Sequence, residues 1–214
     1  MKRSGFYRVN YDIDNWNKLI NQLLTDFEKI EETSRAQLLD DAFNLGRAEY
    51  IDQTVFLTMG SYLKNEKSAL VFQTAFYGLE FISDMLVSDA EAFDQYKEYY
   101  LPLIEKQYQR LGWRLDLNVT TDIDLQLTVL RIMCKYGNPA CIQKAREYYD
   151  NWQIQEIPIP PNFKSIVYQT VVQNDGKTVW NNLYNIALET SNSAEKLRIL
   201  RALTYTPDYQ TLKL

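Results

Sequence analysis

Apolar residues recur every three or four positions along almost the whole chain, and the every-second-residue alternation of a half-buried strand is hard to find. Between positions 34 and 49, Leu38, Leu39, Ala42, Phe43 and Gly46 fall on one helical face. Ser34, with Gln37 three residues later, has the form of a capping box, in which each side chain satisfies a backbone donor at a helix start. The stretch 122–136 places Ile123, Leu127, Leu130 and Cys134 on a second stripe. Gly137 tolerates the positive φ that ends a helix, Asn138 is a good N-cap, and Pro139 fits the first helical position. A tight helix–turn–helix is therefore expected there. Similar signals predict helices near 14–30, 51–64, 67–87, 90–111, 140–152, 163–174, 178–190 and 193–205. Asp14 is the expected cap of the first, and Gly112 and Asn174-Asp175-Gly176 are stops.

About ten helices with short connections imply antiparallel neighbours, hence an all-α fold of stacked helical hairpins in the manner of HEAT and armadillo proteins. No repeat of fixed period is present, so the expected α-superhelix is irregular. Positions 6–11 could form a short extended strand at the start. The run Ile157-Pro158-Ile159-Pro160-Pro161 must be extended, because proline disfavours helix at the residue before it, and it is the best internal joint. Nothing there is long enough for a flexible linker, so residues 1–214 are expected to form one domain.

The chain has 214 residues, 46% apolar and 24% charged, enough to bury a core without needing disulfides or metal. It contains no histidine. That excludes histidine-based zinc sites, Ser-His-Asp and Cys-His nucleophile systems and histidine general bases. Two cysteines cannot make an all-thiolate zinc site. The net charge of −5, with acids and bases interspersed, offers no stripe to neutralise phosphates, so nucleic acid is not an expected partner. No apolar run approaches the roughly 18 residues of a membrane span. Met1-Lys2-Arg3-Ser4-Gly5 lacks the apolar stretch of a signal peptide.

Several patterns together resemble the aminopeptidase N family. Gly5-Phe6-Tyr7-Arg8-Val9-Asn10-Tyr11-Asp12, followed by Asn15-Trp16, is similar to that family's lead into its last domain. Arg35-Ala36-Gln37-Leu38-Leu39-Asp40-Asp41-Ala42-Phe43-Asn44-Leu45 resembles one of its helices almost letter for letter. Leu111-Gly112-Trp113, the spacing Cys134–Gly137–Cys141, Pro161-Asn162-Phe163-Lys164, Val167-Tyr168, Trp180 and Glu195-Lys196-Leu197 match later landmarks in order. The resemblance implies the helical C-terminal domain of a zinc exopeptidase that removes N-terminal residues from peptides. Neither the G-x-M-E-N nor the H-E-x-x-H motif of the family has a counterpart, so no catalytic, cofactor-binding or metal-binding residue is assigned. Zinc would belong to a catalytic domain of the same polypeptide, and this chain alone should be inactive. The family's helical domain normally continues beyond the position matching Leu214, which implies truncation. A second cysteine pair of animal members is replaced by Gln169 and Tyr205.

Further partners implied are the peptide substrate of the parent enzyme and a homodimer mate. The alternative reading is an interaction surface of a brush-border aminopeptidase, bound by a toxin or viral protein. Cys134 and Cys141 flank the expected tight turn, which can bring two Cα atoms within the roughly 4.4–6.8 Å that a disulfide needs. A disulfide places the chain on the secretory route or the extracellular face of the plasma membrane; the alternative is two buried thiols in a reducing compartment. Asn118-Val119-Thr120 is the one N-glycosylation sequon, in an expected loop. Asn10, Asp12 and Asp14 alternate like a calcium loop but lack its later glycine and glutamate. Asp40-Asp41 point about 100° apart on a helix, and a donor such as Arg35 or Arg47 is the expected partner of one of them. The 16 tyrosines are expected to pack between helices with their hydroxyls at the surface, some lining a peptide-facing wall.

Overall fold

The structure, a computed structural model, describes residues 7–213. Those residues form ten α-helices and no strand. In chain order they are α1 (Ile13–Asp26), α2 (Glu32–Arg47), α3 (Thr54–Gly60), α4 (Ala69–Leu86), α5 (Ala90–Leu111), α6 (Thr120–Lys135), α7 (Pro139–Gln155), α8 (Lys164–Asn174), α9 (Gly176–Glu189) and α10 (Ser193–Leu203). A 3₁₀ turn at Ser61–Asn65 completes the segment expected as one helix over 51–64. The all-α expectation holds.

Local chemistry explains most helix ends. At the α6–α7 turn, Gly137 takes φ +90°, Asn138 Oδ1 accepts the N–H of Cys141, and Pro139 opens α7. Gly112 ends α5 at φ +37°, its N–H returning to the Tyr108 carbonyl. Two expected caps are wrong. α1 begins one residue before Asp14, so Asp12 is the N-cap and accepts from the Asn15 N–H. α2 begins at Glu32, which leaves Ser34 inside the helix and frees Gln37 to donate to Asp41. Pro102 sits within α5, where it withholds a donor from the carbonyl one turn back; both positions are exposed, so water can serve that carbonyl.

Of the expected strand at 6–11, Phe6 lies outside the described residues. The remainder has no regular structure and no sheet partner: the N–H of Val9 goes to the Asp41 carboxylate. A strand needs a neighbouring edge, and here a side chain meets the donor instead.

Contacts divide the chain into two compact units, Met1–Val129 and Leu130–Leu214. The division falls inside α6, not at the proline-rich segment. That segment does not act as a joint because it is packed into the second unit: Ile159 is buried, and the Phe163 N–H bonds the Pro160 carbonyl. In the second unit α8 packs against α7, α9 and α10. Val167, Val171, Leu183 and Ile199 are fully buried there, and the Trp180 indole donates to the Leu203 carbonyl. The Cys134–Cys141 disulfide joins the two ends of the α6–α7 turn across a Cα separation of 5.1 Å.

In the first unit α2 lies along α4, and α3 packs on α2. Phe43 and Phe56 meet at 5.4 Å between ring centroids, both buried. They close over Gly78 of α4, where an added Cβ would stand 2.8 Å from atoms of both rings. The helices approach this closely because position 78 has no side chain. Gly78→Val should therefore lower unfolding free energy by about 1–3 kcal/mol through overpacking, measured by urea denaturation; unchanged stability would show that the rings yield freely.

Candidate functional site

The most concentrated ionic chemistry lies in the first unit, where an open groove of about 520 Å³ forms beside the starts of α2, α4 and α6. Its wall includes Phe27, Glu28, Arg35, Glu66, Lys67 and Ser68. Acids at helix starts complement the positive end of the helix dipole, and Glu32, in the first turn of α2, follows that rule.

At the floor, Arg35 of α2 meets Glu66, the residue after the 3₁₀ turn. Arg35 Nε lies 2.7 Å from Glu66 Oε2, and Arg35 Nη2 lies 3.0 Å from Oε1. The Tyr62 hydroxyl donates to Oε2 at 3.1 Å, and the N–H groups of Lys67 and Ser68 donate to Oε1 at 2.8 and 2.9 Å. Arg35 Nη1 reaches the Ile30 carbonyl at 2.6 Å, and the guanidinium carbon stands 5.1 Å from the centre of the Phe27 ring. Gln107 of α5 donates to the Glu66 carbonyl. One glutamate thus links α2, the 3₁₀ turn, the start of α4 and α5.

Burial by itself would raise the Glu66 carboxyl, but the guanidinium and the two backbone donors outweigh it and hold the group below its ordinary 4.5. Burial, with the neighbouring Glu66 charge, pushes Tyr62 far up. Neither group is poised for proton transfer near neutrality. The carboxylate's acceptor sites are occupied by five donors, so the arrangement fixes structure rather than performing chemistry.

The other residues singled out in the sequence fall into similar pairings. Asp41 is fully buried and accepts from Gln37 and Val9, with Arg8 at 3.5 Å; Asp40 pairs with Arg8 and accepts from Asn44. The expected partners Arg35 and Arg47 are therefore wrong: Arg35 is committed to Glu66, and the guanidinium of Arg47 lies over the Phe81 ring. Asn10 accepts the Trp16 indole N–H while Asp12 caps α1, so the alternating acids serve separate local ends. In the second unit Glu195 accepts from Lys164 and Tyr168 and pairs with Arg198. Against expectation, several tyrosine hydroxyls point inward: Tyr96 donates to the Leu79 carbonyl and Tyr99 to the Leu57 carbonyl, because each reaches an acceptor on a neighbouring element. Asn118 is exposed in the loop between α5 and α6.

The residues present do not fit a zinc centre. The chain has no histidine, both cysteines are in the disulfide, and among the described residues no group of three or more His, Cys, Asp or Glu could hold a metal ion. Nothing in the spacing of Glu66 distinguishes it in the sequence; its position just before an expected helix start is the one available signal.

Glu66 below its ordinary value contributes stability that is present above pH 4.5 and is lost as pH falls through the lower folded value. Arg35→Met strands the buried carboxylate and should cost about 3–5 kcal/mol at neutral pH. With its cation gone, burial raises the Glu66 carboxyl, so the variant should regain part of that loss on acidification, opposite in sign to the parent. Denaturant titrations across pH would show it; parallel pH profiles would exclude the pairing as the source.

Over residues 1–213 the chain matches the ERAP1-like C-terminal domain. It is 33% identical to the thyrotropin-releasing hormone-degrading ectoenzyme of Rattus norvegicus, across 99% of this chain and 20% of that protein. It is 30% identical to glutamyl aminopeptidase of Homo sapiens, across 93% of this chain and 21% of that protein. Aminopeptidase Ey of Gallus gallus is likewise 30% identical, across 94% of this chain and 21% of the relative. The chain spans about a fifth of the length of these relatives. Several residues of the motifs noted in the sequence pair with one another inside the fold, Arg8 with Asp40 and Asp41, Asn10 with Trp16, Lys164 and Tyr168 with Glu195. This chain belongs to the ERAP1-like C-terminal domain family, a helical domain that aminopeptidases carry as one part of a larger enzyme.

Proposed function

We propose that this chain is the non-catalytic C-terminal domain of a zinc aminopeptidase that releases N-terminal amino acids from peptides. The observation that carries this is the family match along the chain, in relatives about five times as long that are named aminopeptidases or a hormone-degrading ectoenzyme. The zinc, the scissile bond and the general acid–base groups belong to a catalytic domain of the same polypeptide. The role of this part is physical: a helical wall that encloses the active-site chamber, limits which peptides enter and keeps water out during the reaction.

The outer face of α4 supports a docked domain rather than a free-standing one. Tyr77, Phe81 and Met85 follow one another at four-residue spacing, and Tyr77 and Met85 are 64% and 66% exposed. The exposed parts of these side chains, outward of the Phe43 ring on which Tyr77 and Phe81 pack, offer apolar area for contact with another body. The disulfide favours an oxidising compartment and so an extracellular or secretory location, in keeping with the ectoenzyme named among the relatives. Among the described residues no helix is long and apolar enough to cross a membrane.

The purified chain, with or without added zinc, should release no N-terminal residue from aminoacyl amides or peptides. Zinc-dependent turnover by the pure chain would overturn the proposal. In the parent enzyme, Tyr77→Glu with Met85→Glu should leave hydrolysis of a single aminoacyl amide unchanged and alter kcat/KM for long peptides relative to short ones. An unchanged length profile would remove α4 from the enclosing wall.

A further inference from the structure

The segment between α5 and α6 is tied down at its base and open at its tip. Gln126, 2% exposed in α6, donates through Nε2 to the carbonyls of Leu111, Gly112 and Arg114 at 3.3, 3.0 and 2.8 Å. Arg110 of α5 and Asp122 of α6 close the base at 3.0 Å. Beyond these anchors the chain runs without helix or strand until α6 starts at Thr120. At the tip, Asn118 and Thr120 are both exposed, and the apolar side chains of Leu115 and Val119 are 67% and 52% exposed.

Three independent observations meet here. Asn118-Val119-Thr120 is the one N-x-S/T sequence in the chain, and its middle residue is not proline. The fold displays Asn118 and Val119 outside regular structure and Thr120 at the first position of α6, on a loop whose base is held by a buried amide. The Cys134–Cys141 disulfide favours the oxidising compartment in which such sequences meet the glycosylation machinery. A sequon arising by chance has no reason to coincide with a held, solvent-facing loop tip; many surface asparagines of this chain lie instead on helices, among them Asn21, Asn151 and Asn182.

We infer that Asn118 carries an N-linked oligosaccharide. The inference rests on the secretory location proposed above. In the transfer, Asn118 Nδ2 forms a bond to the anomeric carbon of an oligosaccharide supplied as a lipid-linked pyrophosphate. The bond from that carbon to the pyrophosphate oxygen breaks, the lipid pyrophosphate departs and the amide proton passes to solvent. The hydroxyl of Thr120 is the recognition element of the sequon. Once attached, the sugar adds polar bulk to a loop on which Leu115 and Val119 are left in water. It also occupies the approach to the first turn of α6, beside Thr121 and Asp124 of the groove wall.

The chain, sent through the secretory pathway of a eukaryotic host behind a secretory leader, tests this. Intact mass is measured without reductant, before and after peptide-N-glycosidase. The expected result is a mass fall on enzyme treatment with Asn118 converted to aspartate, retained in Thr120→Ser and abolished in both Asn118→Gln and Thr120→Ala. The disulfide should remain intact in all four proteins. Secreted, disulfide-bonded wild-type chain with an unmodified Asn118 overturns the inference while leaving the secretory reading in place. Free thiols together with an unmodified Asn118 overturn both. Sugar that persists in Asn118→Gln overturns it as well, since the attachment would lie elsewhere.

Discussion

The first unit is organised around a charge that has nowhere else to go. Glu66 is buried where a helical chain must turn from a 3₁₀ segment into α4, and an ionised carboxylate there is tolerable when its lone pairs are all met. Arg35 meets it with two parallel N–H groups from α2, Tyr62 from the preceding turn, and the backbone of residues 67 and 68 from the start of α4. None of these elements can slide without exposing part of the carboxylate or stranding the guanidinium. Apolar packing alone is less strict: Phe43, Phe56 and their neighbours reward burial in many registers, whereas a bidentate ion pair has one. The pair therefore sets the alignment of α2 against α4, and the bare backbone of Gly78 allows the two helices to come together at that alignment.

The second unit repeats the device with different residues. Glu195 at the start of α10 gathers Lys164 and Tyr168 from α8, and Trp180 of α9 donates to the last carbonyl of α10. The disulfide pins the α6–α7 turn. In the polar pairs a group on one helix satisfies a group on another. A buried polar pair constrains both of its residues, because a partner lost inside the fold cannot be replaced by water.

How far the architecture was legible follows from which interactions are local. The tight turn at Gly137, Asn138 and Pro139 was read correctly because each residue acts on its own backbone or on a neighbour three positions away. The caps expected at Asp14 and Ser34 differ from those formed for a related reason: several polar residues near a helix start can each form a cap, and the choice among them depends on where the preceding chain is held. For α1 that preceding chain is the segment whose Val9 N–H is taken by Asp41, thirty-two residues distant. The proline-rich segment looked like a joint by composition, yet Ile159 and Phe163 find pockets in the second unit, and burial outweighs the stiffness of the prolines.

By itself the sequence determined the helical class, most element bounds, the family and the absence of histidine chemistry, since periodicity, capping and composition are properties of short stretches or of the chain as a list. The pairing of Arg35 with Glu66, the turning of Arg8 onto Asp40 and Asp41, the inward tyrosine hydroxyls and the division within α6 were decided by tertiary structure alone. Those outcomes depend on which donor reaches which buried acceptor once the helices have met. Distance in space is not written in the distance along the chain.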